Sequence, residues 1–150
     1  MTATFSIVAV DTNTGDVGSA GGSCIAGSII ISDIHPGVGA IHTQSYYLPA
    51  NQNYASTLMD EGYSPEEIIE LLEENDVQNN PSIRQYGVID LHSTYYYGLL
   101  YEEECLEIEG AVWSGNTNSG ELGECSDPTI SRSASFTGNN CSDWKGHING

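Results

Sequence analysis

Short runs of apolar and β-branched residues open the chain. Residues 4–11 (TFSIVAVD) have the length and composition of a buried strand. Thr12-Asn13-Thr14-Gly15-Asp16 is a turn-forming cluster. Residues 17–24 (VGSAGGSC) then read as the returning strand of a hairpin, whose small residues admit close approach of another backbone or a ligand. Residues 28–32 form a short β-branched run, and residues 38–46 (VGAIHTQSY) predict a further strand after the Pro36-Gly37 break. The period then becomes helical. Tyr54, Ala55, Leu58 and Met59 form an apolar stripe across residues 51–61, and Gly62 supplies a stop. Ser64-Pro65-Glu66-Glu67 predicts a second helix, with an N-cap serine, a first-position proline and a capping-box glutamate ahead of Ile68, Ile69, Leu71 and Leu72. Beyond a polar loop, residues 85–91 (QYGVIDL) predict a strand, residues 93–100 and 106–113 a strand pair, residues 116–127 a polar loop, and residues 130–137 (ISRSASFT) a last strand. Residues 138–150 are rich in turn formers. Strands, two consecutive helices and strands again predict an α+β domain with helices packed on antiparallel sheet.

Charge narrows the functional classes. The net charge is -18, with Arg84, Arg132 and Lys145 the three cations, so the chain repels phosphate backbones and nucleic-acid binding is excluded. No apolar run approaches the roughly 18 residues of a membrane span, and no basic and apolar leader precedes the first strand pattern. GxGxxG, Walker, HExxH and GxSxG patterns are absent. No cofactor is expected. Cys24, Cys105, Cys125 and Cys141 form no CxxC pair. Their even number in a lysine-poor chain suggests disulfides and an extracellular or periplasmic setting, with three connectivities open and four buried thiols as the alternative.

TFSIVAVD with its turn and glycine-rich strand, then GVGAIHTQSY, GYSPEEIIELL, RQYGVIDL and RSASFTGNNCSDWKGH, follow one another in an order that resembles the DUF1028 family. The resemblance covers most of the chain. It implies a single domain over residues 1–150 with an Ntn-hydrolase-like αββα sandwich, an insertion at about residues 93–130, and a C-terminal end short of the family's usual extent. It also implies a disulfide pairing. Cys105 and Cys125 both fall within the insertion, and Cys24 and Cys141 both fall in family-core segments.

The function implied by the resemblance is a secreted amidohydrolase acting on an amide or peptide, such as a cell-wall peptide. In the superfamily the first residue of the mature chain attacks an amide carbonyl, and its own α-amine is the base. Thr4 fits that position, with Thr2 as the rival. The sequence as written places three residues ahead of Thr4, so this chemistry requires their removal. Ser23 at the end of the second strand, Thr43 and Gln44 in HTQ, and Thr137 and Gly138 at the TGNN turn are the other candidate catalytic residues. The turn's backbone N–H groups are candidates for stabilising an oxyanion. Ordinary strand-end and turn hydrogen bonding is the competing explanation for each. His42 and His147 are candidates for proton transfer or metal binding, against a simple hydrogen-bonding role. Asn140-Cys141-Ser142 is a sequon that overlaps the implied disulfide. The alternative function is a non-catalytic extracellular binding module, or a structural protein that assembles as a homo-oligomer through sheet edges.

Overall fold

The computed structural model describes residues 4–93, 95–115 and 120–141. Thr2, His147 and Ser142 of the sequon lie outside them. In chain order the elements are β1 (Phe5–Val10), β2 (Val17–Gly22), β3 (Ser32–His35), β4 (Gly39–Gln44), α1 (Pro49–Asp60), α2 (Pro65–Glu74), β5 (Gln85–His92), β6 (Tyr96–Leu100), α3 (Glu102–Leu106), β7 (Val112–Ser114), β8 (Gly123–Ser126) and β9 (Ile130–Thr137). The class is α+β. The chain divides into two compact units, Met1–Leu91 with Ser131–Gly150, and His92–Ile130.

In the first unit β1 and β2 form an antiparallel hairpin, paired from Phe5↔Gly22 to Val10↔Val17. A four-stranded sheet runs in the order β3-β4-β5-β9. Strand alternation gives its two faces different chemistry. Ile41 and Val88 are paired across β4 and β5, as are Thr43 and Tyr86, and they look towards the helices. There Ile41, Tyr86 and Val88 join Ala55, Leu58, Met59, Ile68, Ile69 and Leu72 in the core, with Ala134 and Phe136 of β9 against it. His42 and Gln44 point the other way, towards the hairpin, where they meet Ser19 and Ser6. β4 is therefore covered on both sides and buried almost throughout.

Local signals explain the helix ends. The Ser64 hydroxyl accepts from the Glu67 N–H, and the Glu67 carboxylate accepts from the Ser64 N–H at 2.8 Å. This reciprocal cap is worth about 1 kcal/mol. Helix α1 starts at Pro49, two residues before its apolar stripe suggests, because proline suits the first helical position. It ends where Gly62 takes φ 86°, with Gly62 N–H donating to the Met59 carbonyl and Tyr63 N–H to that of Leu58.

One predicted strand is displaced. Residues 28–31 form a 3-10 turn, and the strand begins only at Ser32. Gly27, at φ 71°, starts the turn, and its carbonyl accepts from the Ile30 N–H. β-branched composition cannot reveal such a turn, since Ile29 and Ile30 are exposed and only Ile31 is buried.

The second unit is a three-stranded sheet in the order β6-β8-β7. Its middle strand, β8, lies inside the stretch that composition marks as a loop. A disulfide joins Cys105 of α3 to Cys125 of β8. Among the described residues of this unit only Cys105, Gly123 and Cys125 are buried. The Trp113 indole donates to the Leu100 carbonyl at 2.9 Å and lies over Gly115 and Gly123, where it leaves no room for a Cβ.

Candidate functional site

The hairpin and the four-stranded sheet bring a series of polar side chains together at one end of the first unit. Thr4 precedes β1, Ser23 follows β2, and their hydroxyls are 2.8 Å apart. Two residues on, and on the same side of β1, the Ser6 hydroxyl donates to Gln44 Oε1 at 3.0 Å. Gln44 Nε2 donates to Gln85 Oε1 at 2.7 Å, and Gln85 Nε2 to Thr137 Oγ1 at 3.1 Å. A polar seam thus runs from the hairpin across β4 and β5 to β9. It contains Gln44 and Thr137 and adds Ser6 and Gln85, with Thr4 and Ser23 at its hairpin end. Ser6 is legible from its strand parity with Thr4. Gln85 becomes apparent only once it is seen to pair with Gln44.

Thr43 lies apart from this group. As the neighbour of Gln44 it faces the helices, where its buried Oγ1 has no hydrogen-bond partner among the described residues. Gly138 sits next to Thr137, but its N–H donates to the Arg84 carbonyl at 2.9 Å, and the Asn140 N–H donates to that of Ser82 at 2.8 Å. These N–H groups hold the turn against residues 82–84, with their hydrogens spent on backbone carbonyls rather than directed at an oxyanion. Glycine is required at 138 because a Cβ would collide with the Ser82 carbonyl.

A second polar group lies further along the same layer. His42 is 3% exposed. Its Nε2 is 2.8 Å from Ser32 Oγ and 3.1 Å from Ser19 Oγ, and the Ser19 hydroxyl donates to that of Ser32. Burial pushes the imidazole pKa down to about 4. The native state therefore holds it neutral while the unfolded chain protonates it at about pH 6.5. Between pH 6.5 and 4 the unfolded state binds the extra proton, so stability falls as pH falls, by roughly 3 kcal/mol over the whole window. Urea midpoints at pH 7, 5.5 and 4 should show this slope in the wild type and a shallower one in His42→Gln. Equal slopes would remove His42 as the cause.

Beneath the turn at residues 138–141 lies a buried ion pair. Arg84 Nε donates to Asp76 Oδ2 at 2.9 Å, with both side chains almost fully buried. Asn51 Nδ2 donates to the same oxygen at 2.6 Å, and the N–H groups of Gln78 and Asn80 donate to Oδ1 at 3.0 Å. Burial alone would raise the Asp76 pKa, but these donors, Arg84 foremost, outweigh it and hold it at about 2. The Tyr86 phenol, which accepts from Asn51, is pushed up to about 12 by burial. Arg84 Nη2 bonds Gln78 Oε1, and Nη1 bonds the Tyr46 carbonyl. That second contact clasps Ser45 and Tyr46, which both take positive φ, 58° and 59°, directly after Gln44.

The Cys105–Cys125 pairing is present, whereas the implied Cys24–Cys141 bond is not. Cys24 is exposed past the end of β2, while the buried Cys141 thiol donates to the Arg84 carbonyl at 3.2 Å. The turn that carries Cys141 is drawn to residues 82–84, away from the hairpin. Among the described residues no group of three or more histidine, cysteine or carboxylate side chains is placed to hold a metal. No helix among them is long and apolar enough to cross a membrane.

No curated protein and no solved structure matches the chain. A protein-family pattern described as a family of unknown function, DUF1028, matches residues 4–123. That match takes in β1 through β7, including both helices that build the core and every seam residue except Thr137, and the chain belongs to the DUF1028 family.

Proposed function

We propose that the Thr4 end of the first unit is an amide-hydrolysing site of the N-terminal-nucleophile type. The observation that carries this reading is the 2.8 Å contact between Thr4 and Ser23 at the mouth of the hairpin, beside the polar seam. Removal of residues 1–3 gives Thr4 an α-amine with an ordinary pKa of about 7.7–8.0, suited to act as base. The amine takes the Oγ1 proton as Oγ1 bonds to the amide carbon. The carbon–nitrogen bond then breaks, and the leaving amine departs with that proton. Water, activated by the same amine, hydrolyses the resulting ester. Ser23 is the positioning residue for the nucleophile. The substrate is an amide or peptide, met outside the cytoplasm, where the Cys105–Cys125 bond is stable.

A second reading, a binding or self-assembling module on the same scaffold, is favoured by the outward face of the hairpin. Phe5 and Ile7 stand there 72% and 64% exposed. Intact mass and N-terminal sequencing of the natively produced protein, followed by labelling with a β-lactone, separate the two. The hydrolase requires a chain starting at Thr4 and an acyl adduct on Thr4 that Thr4→Ala abolishes. A chain that retains residues 1–3 and takes no adduct would leave the binding module.

A further inference from the structure

The turn between β3 and β4 places a histidine against the side of α1, away from the polar seam. His35 ends β3, Pro36 follows, and Gly37 takes φ 72° while the Val38 N–H donates to the His35 carbonyl at 2.9 Å. Proline then glycine at the two central positions is the pattern of a type II turn, which fixes the direction in which His35 leaves the strand. The side chain is 11% exposed. Its Nδ1 is 2.7 Å from Asp60 Oδ1, and its Nε2 is 3.1 Å from Ser56 Oγ. Ser56 and Asp60 stand four residues apart on α1, so one helix face presents both.

Atom identity gives this group its chemical meaning. A carboxylate only accepts, so the hydrogen of the neutral ring sits on Nδ1, towards Asp60. The Nε2 lone pair is left facing the Ser56 hydroxyl. Asp33 Oδ2, 3.5 Å from Nε2, faces the positive charge the ring acquires when it takes a proton. Hydroxyl on Nε2 and carboxylate on Nδ1 is the arrangement by which serine hydrolases are recognised whatever their fold.

We propose that Ser56, His35 and Asp60 form a second nucleophilic site, independent of Thr4, that accepts acyl groups from small activated esters. Ser56 Oγ bonds to the acyl carbon as its proton passes to His35 Nε2. The acyl–oxygen bond breaks, and the leaving alcohol takes the proton from His35. Water deacylates Ser56 by the same path and restores the hydroxyl. Asp60 is a positioning residue that holds the ring in the required tautomer.

A fluorophosphonate probe tests this directly, since it forms an Oγ–phosphorus bond with loss of fluoride. Peptide mass mapping should place the adduct on Ser56 in the wild type and in Thr4→Ala, and find none in Ser56→Ala. His35→Ala should label about a hundredfold more slowly, the usual scale of general-base assistance. Added imidazole should restore part of that rate, which a merely structural histidine would not permit. Asp60 is 66% exposed, so Asp60→Asn should keep the fold and still label slowly. No adduct, an adduct on another residue, or wild-type rates in Asp60→Asn and His35→Ala would each overturn the proposal.

Discussion

Asp76→Ala is expected to destabilise the first unit by about 3–5 kcal/mol, the usual cost of removing one partner from a buried ion pair. Asp76 and Arg84 are 8% and 2% exposed, so the guanidinium would lose its counter-ion without gaining water. Its other acceptors, the Tyr46 carbonyl and Gln78, are neutral. The loss would reach beyond the pair, because the Arg84 carbonyl anchors the turn at residues 138–141 and its guanidinium holds the Ser45–Tyr46 bend. A urea titration at pH 7 measures the effect. The double variant Asp76→Leu, Arg84→Met should recover part of it, because no charge is then left buried. A single-variant loss below about 1 kcal/mol would mean that water reaches Arg84 and that the pair resembles a surface one. Acid tests the same pair without mutation. With the native Asp76 pKa at about 2 and the unfolded value at about 3.9, its contribution is complete above pH 3.9 and is lost as pH falls through 2. This window lies below the one set by His42, so acid unfolding should sharpen in two stages.

Breaking the Cys105–Cys125 bond, by Cys105→Ser with Cys125→Ser, is expected to unfold His92–Ile130. A cross-link spanning 20 residues stabilises by about 3 kcal/mol through restriction of the unfolded chain. The unit has little else. Its two cysteines and Gly123 are its buried residues among those described, and units below about 40 residues usually need a cross-link or metal. Chymotrypsin reports the outcome, since Tyr95, Tyr96 and Tyr101 are exposed side chains whose peptide bonds become cleavable once the strands open. Rapid cutting there in the double variant, with slow cutting in the wild type, is the expected result. Equal cutting would mean that the pairing of β6, β7 and β8 suffices alone. The same measurement under mild reductant shows whether a reducing compartment would melt this unit.

The sequence-based expectations succeeded where one short-range signal decided an element and weakened where partners lay far apart. Ser64 to Glu67 announces α2 because every group of the capping box lies within four residues. The patterns at residues 4–11 and 85–91 both form strands, but only the second is buried on one face. β1 has no buried residue and leaves Phe5 and Ile7 exposed, because β-branched composition favours the extended backbone without selecting a cover for it. Residues 28–31 mislead, since a run of isoleucines reads the same whether Gly27 turns the chain or not. β8 is short and carries glycine, glutamate, cysteine and serine, so pairing with β6 and β7, rather than its own composition, makes it a strand. The candidate site shows the same division. Thr4 and Ser23 are pairable on paper once the hairpin is drawn. Gln44 beside Gln85 and His42 beside Ser32 depend on strand pairing between distant segments, and their contacts with Ser6 and Ser19 on the stacking of the hairpin over the sheet, none of which a local pattern encodes. Thr43 and Gln44 are neighbours in sequence and separate in space, because adjacent strand residues face opposite ways.

That alternation makes β4 intolerant of changes in length. Insert or delete one residue between Gly39 and Gln44, and every side chain beyond that point changes face. A deletion before Ile41 would turn Ile41 towards the hairpin serines and drive His42 and Gln44 into the layer of Leu58, Ile68 and Leu72. A point substitution in this buried strand disturbs one contact, whereas a single-codon indel would exchange the seam for the core in one step. Across related chains, β4 should therefore keep a constant count. Length variation should collect in segments such as the exposed turn at residues 11–16, where no strand has two faces to confuse and no buried pair is held.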